Sequence, residues 1–411
     1  MFLLRDPTYI KDFLHSQHKY HKVGIVNNMK PLLGNGLATA EGSFWRNHRR
    51  IISNSFHYEL LKSHVPIIQE TTKEFLDKIK PEEYGNFKII DKVQEITGEV
   101  VGRVFFGNNL SNYQLDGMPL TLYLARLMTE IMKTALSPMA MLLGTKSLVL
   151  IPSHRRVMEK TNYFREYCQK IIADRRKEHY EANDLLNSLL QTQKSEEPDQ
   201  RLTDSEIIDE FISFFVAGMD TTGHLISMTL LNIIKYPRYQ KILQQERDET
   251  YNKAVTAENL TKMDELHCLI KETLRMYHPA PVTFDREALE DHKLGDLDVP
   301  KGTWVKQDFF AVSHNEKYWD EPFKFKPERF KADAKKVDPY AFVPFGGGPR
   351  NCIGQHLSII ETKIIISEFL ERFHCKLIEG YELKMAFKFL YEPLNELTFD
   401  ISPKHQQTIL A

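Results

Sequence analysis

The sequence predicts a mainly α-helical fold with a few small β-sheets. Three observations carry that expectation. Apolar residues recur at about 3.6-residue spacing over 59–80, 88–105 and 153–193. A strongly marked helix runs from Thr203 to Tyr236. Beyond residue 280 the helical period fades and short strand-like runs take over.

Each element follows from local chemistry. Pro81 separates the first two helical stretches. The polar run 194–200 breaks the third and reads as a surface loop. Thr203 and Glu206 form a capping box, in which each side chain satisfies a free backbone donor. The pattern then holds until Pro237, a span of roughly 50 Å at 1.5 Å per residue. Pro279 and Pro281 end helical structure, and strand-like runs follow over 294–312 around the Pro300 to Thr303 turn. Residues 316–350 are rich in Pro, Gly and aromatics with little period. A final helix is expected near Cys352, with Ile353, Leu357, Ile360 and Ile364 on one face.

Composition narrows the function classes. With 42% hydrophobic and 27% charged residues, the 411-residue chain has material for a sizeable core and is not disordered. Basic and acidic residues nearly cancel, 54 against 56, so a nucleic-acid binder loses weight. Four cysteines with no CxxC pair argue against a disulfide scaffold or a Cys-rich metal cluster, and suit a reducing, intracellular compartment. Early charges at Arg5, Asp6, Lys11 and Asp12 exclude a signal peptide. The apolar stretch 211–234 carries Asp220 and His224, so it reads as a buried helix and not a membrane span. No linker divides the chain, and residues 1–411 read as one domain.

Four constellations carry chemistry. In the run 345–354, Phe345, Gly348, Arg350, Cys352 and Gly354 surround three consecutive glycines. Glycines let a backbone approach a flat ligand, and a cysteine just before a helix meets amides that favour its thiolate. Taken generically, the run also reads as a Gly-rich turn with a buried cysteine. Ala217, Gly218, Asp220, Thr221 and Thr222 lie mid-way along the long helix, where a glycine needs a reason and a carboxylate beside a hydroxyl can relay protons. Read alone, that segment is better explained by packing with satisfied polar neighbours. Glu272 and Arg275 can meet on one helical face, as can Trp45 and Arg49; both patterns are common on ordinary helices.

Together these runs resemble the cytochrome P-450 family. Positions 345–354 match its haem-loop pattern FxxGxRxCxG at all five fixed residues. The resemblance implies the cytochrome P-450 fold, with the long central helix over a haem b. It implies Cys352 as axial thiolate, Phe345 packed beside the sulfur, and Arg350 on a haem propionate. Ala217, Gly218, Asp220, Thr221 and Thr222 resemble the family's oxygen-binding groove, with Thr221 holding O2 and its protons and Asp220 feeding the relay. Glu272, Arg275 and Arg329 of the Pro327 to Phe330 run would form a buried charged triad. Trp45, Arg49 and Arg286 would contact haem propionates. Arg46 and Arg50 are candidates for docking an electron donor, and read equally well as a solvated face. Ser358 departs from the family's usual Ala.

The implied reaction is O2-dependent monooxygenation of an apolar lipid, sterol or xenobiotic. Electrons would come from NADPH or NADH through a separate flavoprotein reductase or ferredoxin. A monomer is expected, with no nucleic-acid partner. Trp45 lies closer to residue 1 than is usual in the family. That implies loss of the first strands, the first helix and any membrane anchor; a full-length eukaryotic parent would sit on the endoplasmic reticulum. Two rivals share the motifs: a peroxide isomerase or dehydratase, and an inactive haem-binding paralogue. A hydrolase using Cys352 as nucleophile is a third.

Overall fold

The computed structural model describes residues 1–107, 113–177, 184–195, 197, 201–250, 255–387 and 390–404. Helices dominate and the strands are short, as the sequence predicts. The apolar stretch before residue 81 is two helices, Tyr58–Ser63 and Val65–Asp77, because Pro66 lacks the amide a continuous helix needs. The stretch from 153 gives Pro152–Lys177 and Leu185–Thr192; residues 178–183 lie outside the described set. Part of the expected 194–200 loop also lies outside it.

The central helix is Asp204–Lys235, 32 residues and roughly 48 Å long. Its capping box is present: Thr203 Oγ1 accepts from Glu206 N at 3.2 Å, and Glu206 Oε2 accepts from Thr203 N at 2.7 Å. Two apolar cores share this helix. Leu225 to Ile234 belong to one, with the helices Ile89–Phe106, Asp264–Met276 and Gln355–Arg372. Ile207 to Met219 belong to the other, with the helices Leu120–Ala135 and Pro152–Lys177. The changeover falls at residues 220–224, so Asp220 and Thr221 sit at the seam.

A third core underlies the main sheet. Its order runs Phe2–Leu4, Trp304–Gln307, Arg286–Ala288, Tyr20–Lys22, with the first pair parallel and the others antiparallel. The chain's opening residues therefore form strand Phe2–Leu4 and helix Pro7–His15. Strands at 292–294 and 297–299 form a hairpin turning at Gly295, whose φ of 59° suits glycine. The expected strand region 294–312 is only partly strand: Phe309–Ser313 is a short helix, capped by Asp308 accepting from Ala311 N. Over 316–350 only short 3₁₀ turns appear, matching the missing period.

Candidate functional site

The cysteine loop is a closed turn. Cys352 N donates to Phe345 O at 2.8 Å, so the two ends of the motif meet. Phe345 packs on the first core and Ile353 on the second, so the loop bridges them. The glycines have separate reasons. Gly346 and Gly348 take φ of 68° and 65°, which other residues rarely adopt. A Cβ at Gly348 would meet Leu14 O at 2.2 Å, and one at Gly347 would meet Leu14 Cδ1 at 2.9 Å. Two of the three glycines thus serve packing against the Pro7–His15 helix. Gly346 is the uncrowded one: its Cβ position has only Asn351 Cα nearby, at 3.9 Å.

Cys352 stands two residues before Gly354, the N-cap of the helix Gln355–Arg372. The amides of Gly354 and Gln355 point at its sulfur, and the Arg49 charge lies near. All three favour the thiolate, yet burial outweighs them and pushes the free thiol up. A bound metal cation reverses that order, because a coordinating thiol ionises outright. The residue is enclosed by the fold and still presents open surface, the mark of a side chain facing an internal cleft.

Opposite features mark the central helix. Most of its residues are buried, but Ala217 in its middle is exposed and Gly218, Asp220 and Thr221 are half-buried. Thr221 Oγ1 donates back to Ala217 O, one turn earlier, and the helix runs on unbroken through both. Gly218 has a packing reason. A Cβ there would meet Val101 Cγ2 at 2.8 Å, so the glycine serves packing on the Ile89–Phe106 helix. Its neighbour Ala217 is the exposed residue of the pair. Burial and the like charge of Glu392 push Asp220 up to about 6, against a hydrogen bond from Gln94. Thr222 Oγ1 donates to Ser358 Oγ at 3.1 Å, tying the central helix to the helix that follows the cysteine. That bond gives Ser358 its place.

The arginines fall into two groups. Arg49 donates twice to Asn351, to O at 2.9 Å and Oδ1 at 2.7 Å. Arg350 stacks on Trp45 at 3.8 Å and donates to Ala40 O and Glu41 Oε2, at 2.8 and 2.6 Å. Arg286 reaches Glu41 Oε1 at 3.4 Å. The sheet register sets Lys22 directly opposite Arg286, an unfavourable like-charge pair. Burial, Arg286 and Arg350 push Lys22 well below its usual range, and burial lowers Arg350 to about 10. Sequence reasoning missed Lys22 and Glu41, since nothing local marks a cross-strand partner.

Glu272 and Arg275 are fully buried and joined twice at 2.8 Å. Arg329 Nε adds a bond to Glu272 at 3.4 Å. Arg275 also donates to Ser313 O and Pro322 O at 2.7 Å, and Lys326 N to Glu272 Oε1 at 2.8 Å. The three residues therefore meet, and they stitch the helix Asp264–Met276 to the irregular 313–329 segment.

The fit to haem rests on charge. Arg286 and Arg350 share one carboxylate, Glu41, and Arg49 donates to the uncharged Asn351, so three guanidinium groups face one acid, an excess of two. Haem carries two carboxylates. With the exposed thiol of Cys352 and the exposed Ala217 on an otherwise buried helix, the residues present fit the group.

Comparisons with known proteins agree. The family model for cytochrome P450 matches residues 1–398. A cyclooctat-9-en-7-ol 5-monooxygenase of Streptomyces melanosporofaciens is 27% identical over 93% of this chain and 82% of its own. Cytochrome P450 4d2 of Drosophila melanogaster is 27% identical over 97% and 83%, and cytochrome P450 CYP749A22 of Panax ginseng 28% over 98% and 76%. The crystal structure of the cytochrome P450DA heme domain superposes with a TM-score of 0.84 at 20% identity, covering 98% of this chain and 88% of that one, which supports the fold. The chain belongs to the cytochrome P450 family, haem-dependent oxidoreductases that incorporate O2.

Proposed function

We propose that this protein inserts one oxygen atom into an apolar lipid, sterol or xenobiotic, using electrons from a separate reductase. The observation that carries the reading is an exposed Cys352 before a helix that the Thr222–Ser358 bond ties to the central helix, beside its exposed Ala217 and its Thr221. Cys352 would ligate the haem iron, and Arg49, Arg286 and Arg350 would hold its propionates, with Trp45 under Arg350. Bound haem supplies the oxygen chemistry, and a thiolate ligand favours O–O cleavage. Asp220 takes a proton from the solvent side. Thr221 holds it at Oγ1, toward the open face of the helix. Arg46 and Arg50 are exposed and offer charge to an acidic electron donor.

An intact acid–hydroxyl pair favours O2 use over peroxide rearrangement. The test is reconstitution with a flavoprotein reductase and NADPH, over a library of apolar compounds. Product that requires both reductase and NADPH supports the reading. Peroxide turnover without either selects the isomerase or dehydratase, and haem binding with no turnover selects the inactive paralogue.

Membrane contact is a further part of the proposal. No described helix is long and apolar enough to cross a membrane. Met139, Met141, Leu142, Val149 and Leu150 are nonetheless exposed together on the short helices Pro138–Leu143 and Ser147–Leu150. Residues 131–158 hold no acidic side chain, while Lys133, Lys146, Arg155 and Arg156 are exposed there. An apolar tip with a purely cationic rim suits an anionic lipid surface. Flotation with anionic vesicles, lost in Leu142→Asp and weakened in Lys146→Glu, would support it; salt-insensitive self-association in place of flotation would overturn it.

A further inference from the structure

Asp220 sits where the two cores meet, and its surroundings come from three elements. On its own helix, Thr221 bonds back to Ala217 O, and His224 Nε2 donates to Tyr277 O at 2.8 Å. Burial lowers His224 to about 4, so it stays neutral in the working pH range. On the strand Tyr391–Pro393, Glu392 is the like charge acting on Asp220. On the helix Ile89–Phe106, Gln94 Nε2 donates to Asp220 Oδ1 at 3.1 Å.

The Gln94 contact is built into the packing. Thr97, one turn on, is fully buried and donates to Met219 O at 2.9 Å. Two side chains of one helix thus grip consecutive residues of the other. Gly223 leaves the room for this: a Cβ there would stand 3.3 Å from Gln94 Cγ and 3.5 Å from Thr97 Oγ1. A primary amide has a property no charged partner offers. Its NH2 donates to a carboxylate, and its oxygen accepts from a carboxylic acid after a half-turn. One side chain can therefore partner Asp220 in both protonation states.

We propose that Gln94 is a positioning residue for proton delivery: it holds the Asp220 carboxyl at the seam and, by turning its amide, stabilises each protonation state in turn. Glu392 opposes it by disfavouring the ionised carboxyl. The proton balance is simple. Asp220 takes one proton from the solvent side, passes one to the Thr221 side, and returns to carboxylate; Gln94 neither gains nor loses a proton. The inference rests on the reading of Asp220 as the proton-carrying acid.

The test is an infrared difference titration of the haem-loaded protein, following the carbonyl stretch of the protonated carboxyl, with Asp220→Asn assigning the band. The amide's bond to the carboxylate is charge-assisted and stronger than its bond to the neutral acid, so Gln94→Leu and the closer isostere Gln94→Met, which remove the donor, should raise the midpoint by about one pH unit. Glu392→Gln should lower it. The pH profile of product formed per NADPH should move in step, with KM unchanged. A midpoint that stays put in both Gln94 variants, while Asp220→Asn removes the band, overturns the proposal and leaves the Asp220 reading intact. If Asp220→Asn changes neither coupling nor pH profile, the Asp220 reading itself falls, and the Gln94 role with it.

Discussion

At the residue scale, the assignments separate cleanly by variant. Cys352 alone among the four cysteines faces a cleft; Cys168, Cys268 and Cys375 are buried in packed surroundings. Cys352→Ala should abolish the thiolate-type band of the reduced CO complex, and Cys268→Ala should keep it. Retention in Cys352→Ala would remove the ligand assignment. Thr221 and Thr222 differ in partner, one bonded to Ala217 O on its own helix and the other buried on Ser358. Thr221→Ala should keep haem and NADPH consumption while product falls and released peroxide rises. Thr222→Ala should lower stability by about 1 kcal/mol, the worth of one hydrogen bond, with coupling unchanged. The reverse pattern would exchange their roles. These candidates were legible because each lies within one short run of sequence. Gln94 was not: its partner is 126 residues away, and a lone polar residue on an amphipathic helix carries no local mark.

At the element scale, the structure reassigns glycines that sequence could only flag as unusual. Gly218 was legible as a helix-interior glycine wanting a reason, but the reason is Val101 on another helix, which no spacing rule reveals. Glu272 and Arg275 read as an ordinary surface pair, and only resemblance marked them as buried. The structure gives the physical content: both are wholly enclosed, and Arg275 also holds backbone carbonyls of a segment that has no period of its own. Removing Glu272 leaves a buried guanidinium without its counter-charge. Glu272→Ala should therefore cost about 3–5 kcal/mol, a large share of domain stability, and yield protein that does not retain haem. A thermal melt and the Soret absorbance check it. Folded, haem-replete Glu272→Ala would show that the carbonyl contacts of Arg275 suffice alone.

At the scale of the whole molecule, the mainly helical class followed from period, but the main sheet did not, because it joins residues 2–4 to 304–307 across nearly the full chain. The same long-range closure makes the cysteine loop sensitive to acid. His278 is buried and stacked on Phe309. Its Nε2 lies 2.8 Å from Pro344 O, the residue before Phe345, and its Nδ1 accepts from Ala280 N at 3.1 Å. Both bonds are satisfied only by one neutral tautomer, since a proton on Nδ1 would face a donor. Burial lowers His278 to about 4, below the ordinary 6.5. The sign follows: the unfolded chain binds the proton first, so stability is lost as pH falls from about 6.5 toward about 4. The full effect is roughly 3 kcal/mol. Buried Asp220 and Glu361, both pushed up, act in the opposite sense and obscure the slope of the wild type alone. The comparison is therefore between two proteins. His278→Gln keeps an amide for Pro344 and cannot titrate. Relative to this variant, the wild type should lose stability and release haem faster between pH 6.5 and 4.5, with the gap closed at pH 7.5 apart from a constant offset. Parallel melting curves for the two proteins across that range would show that His278 does not couple protons to the loop.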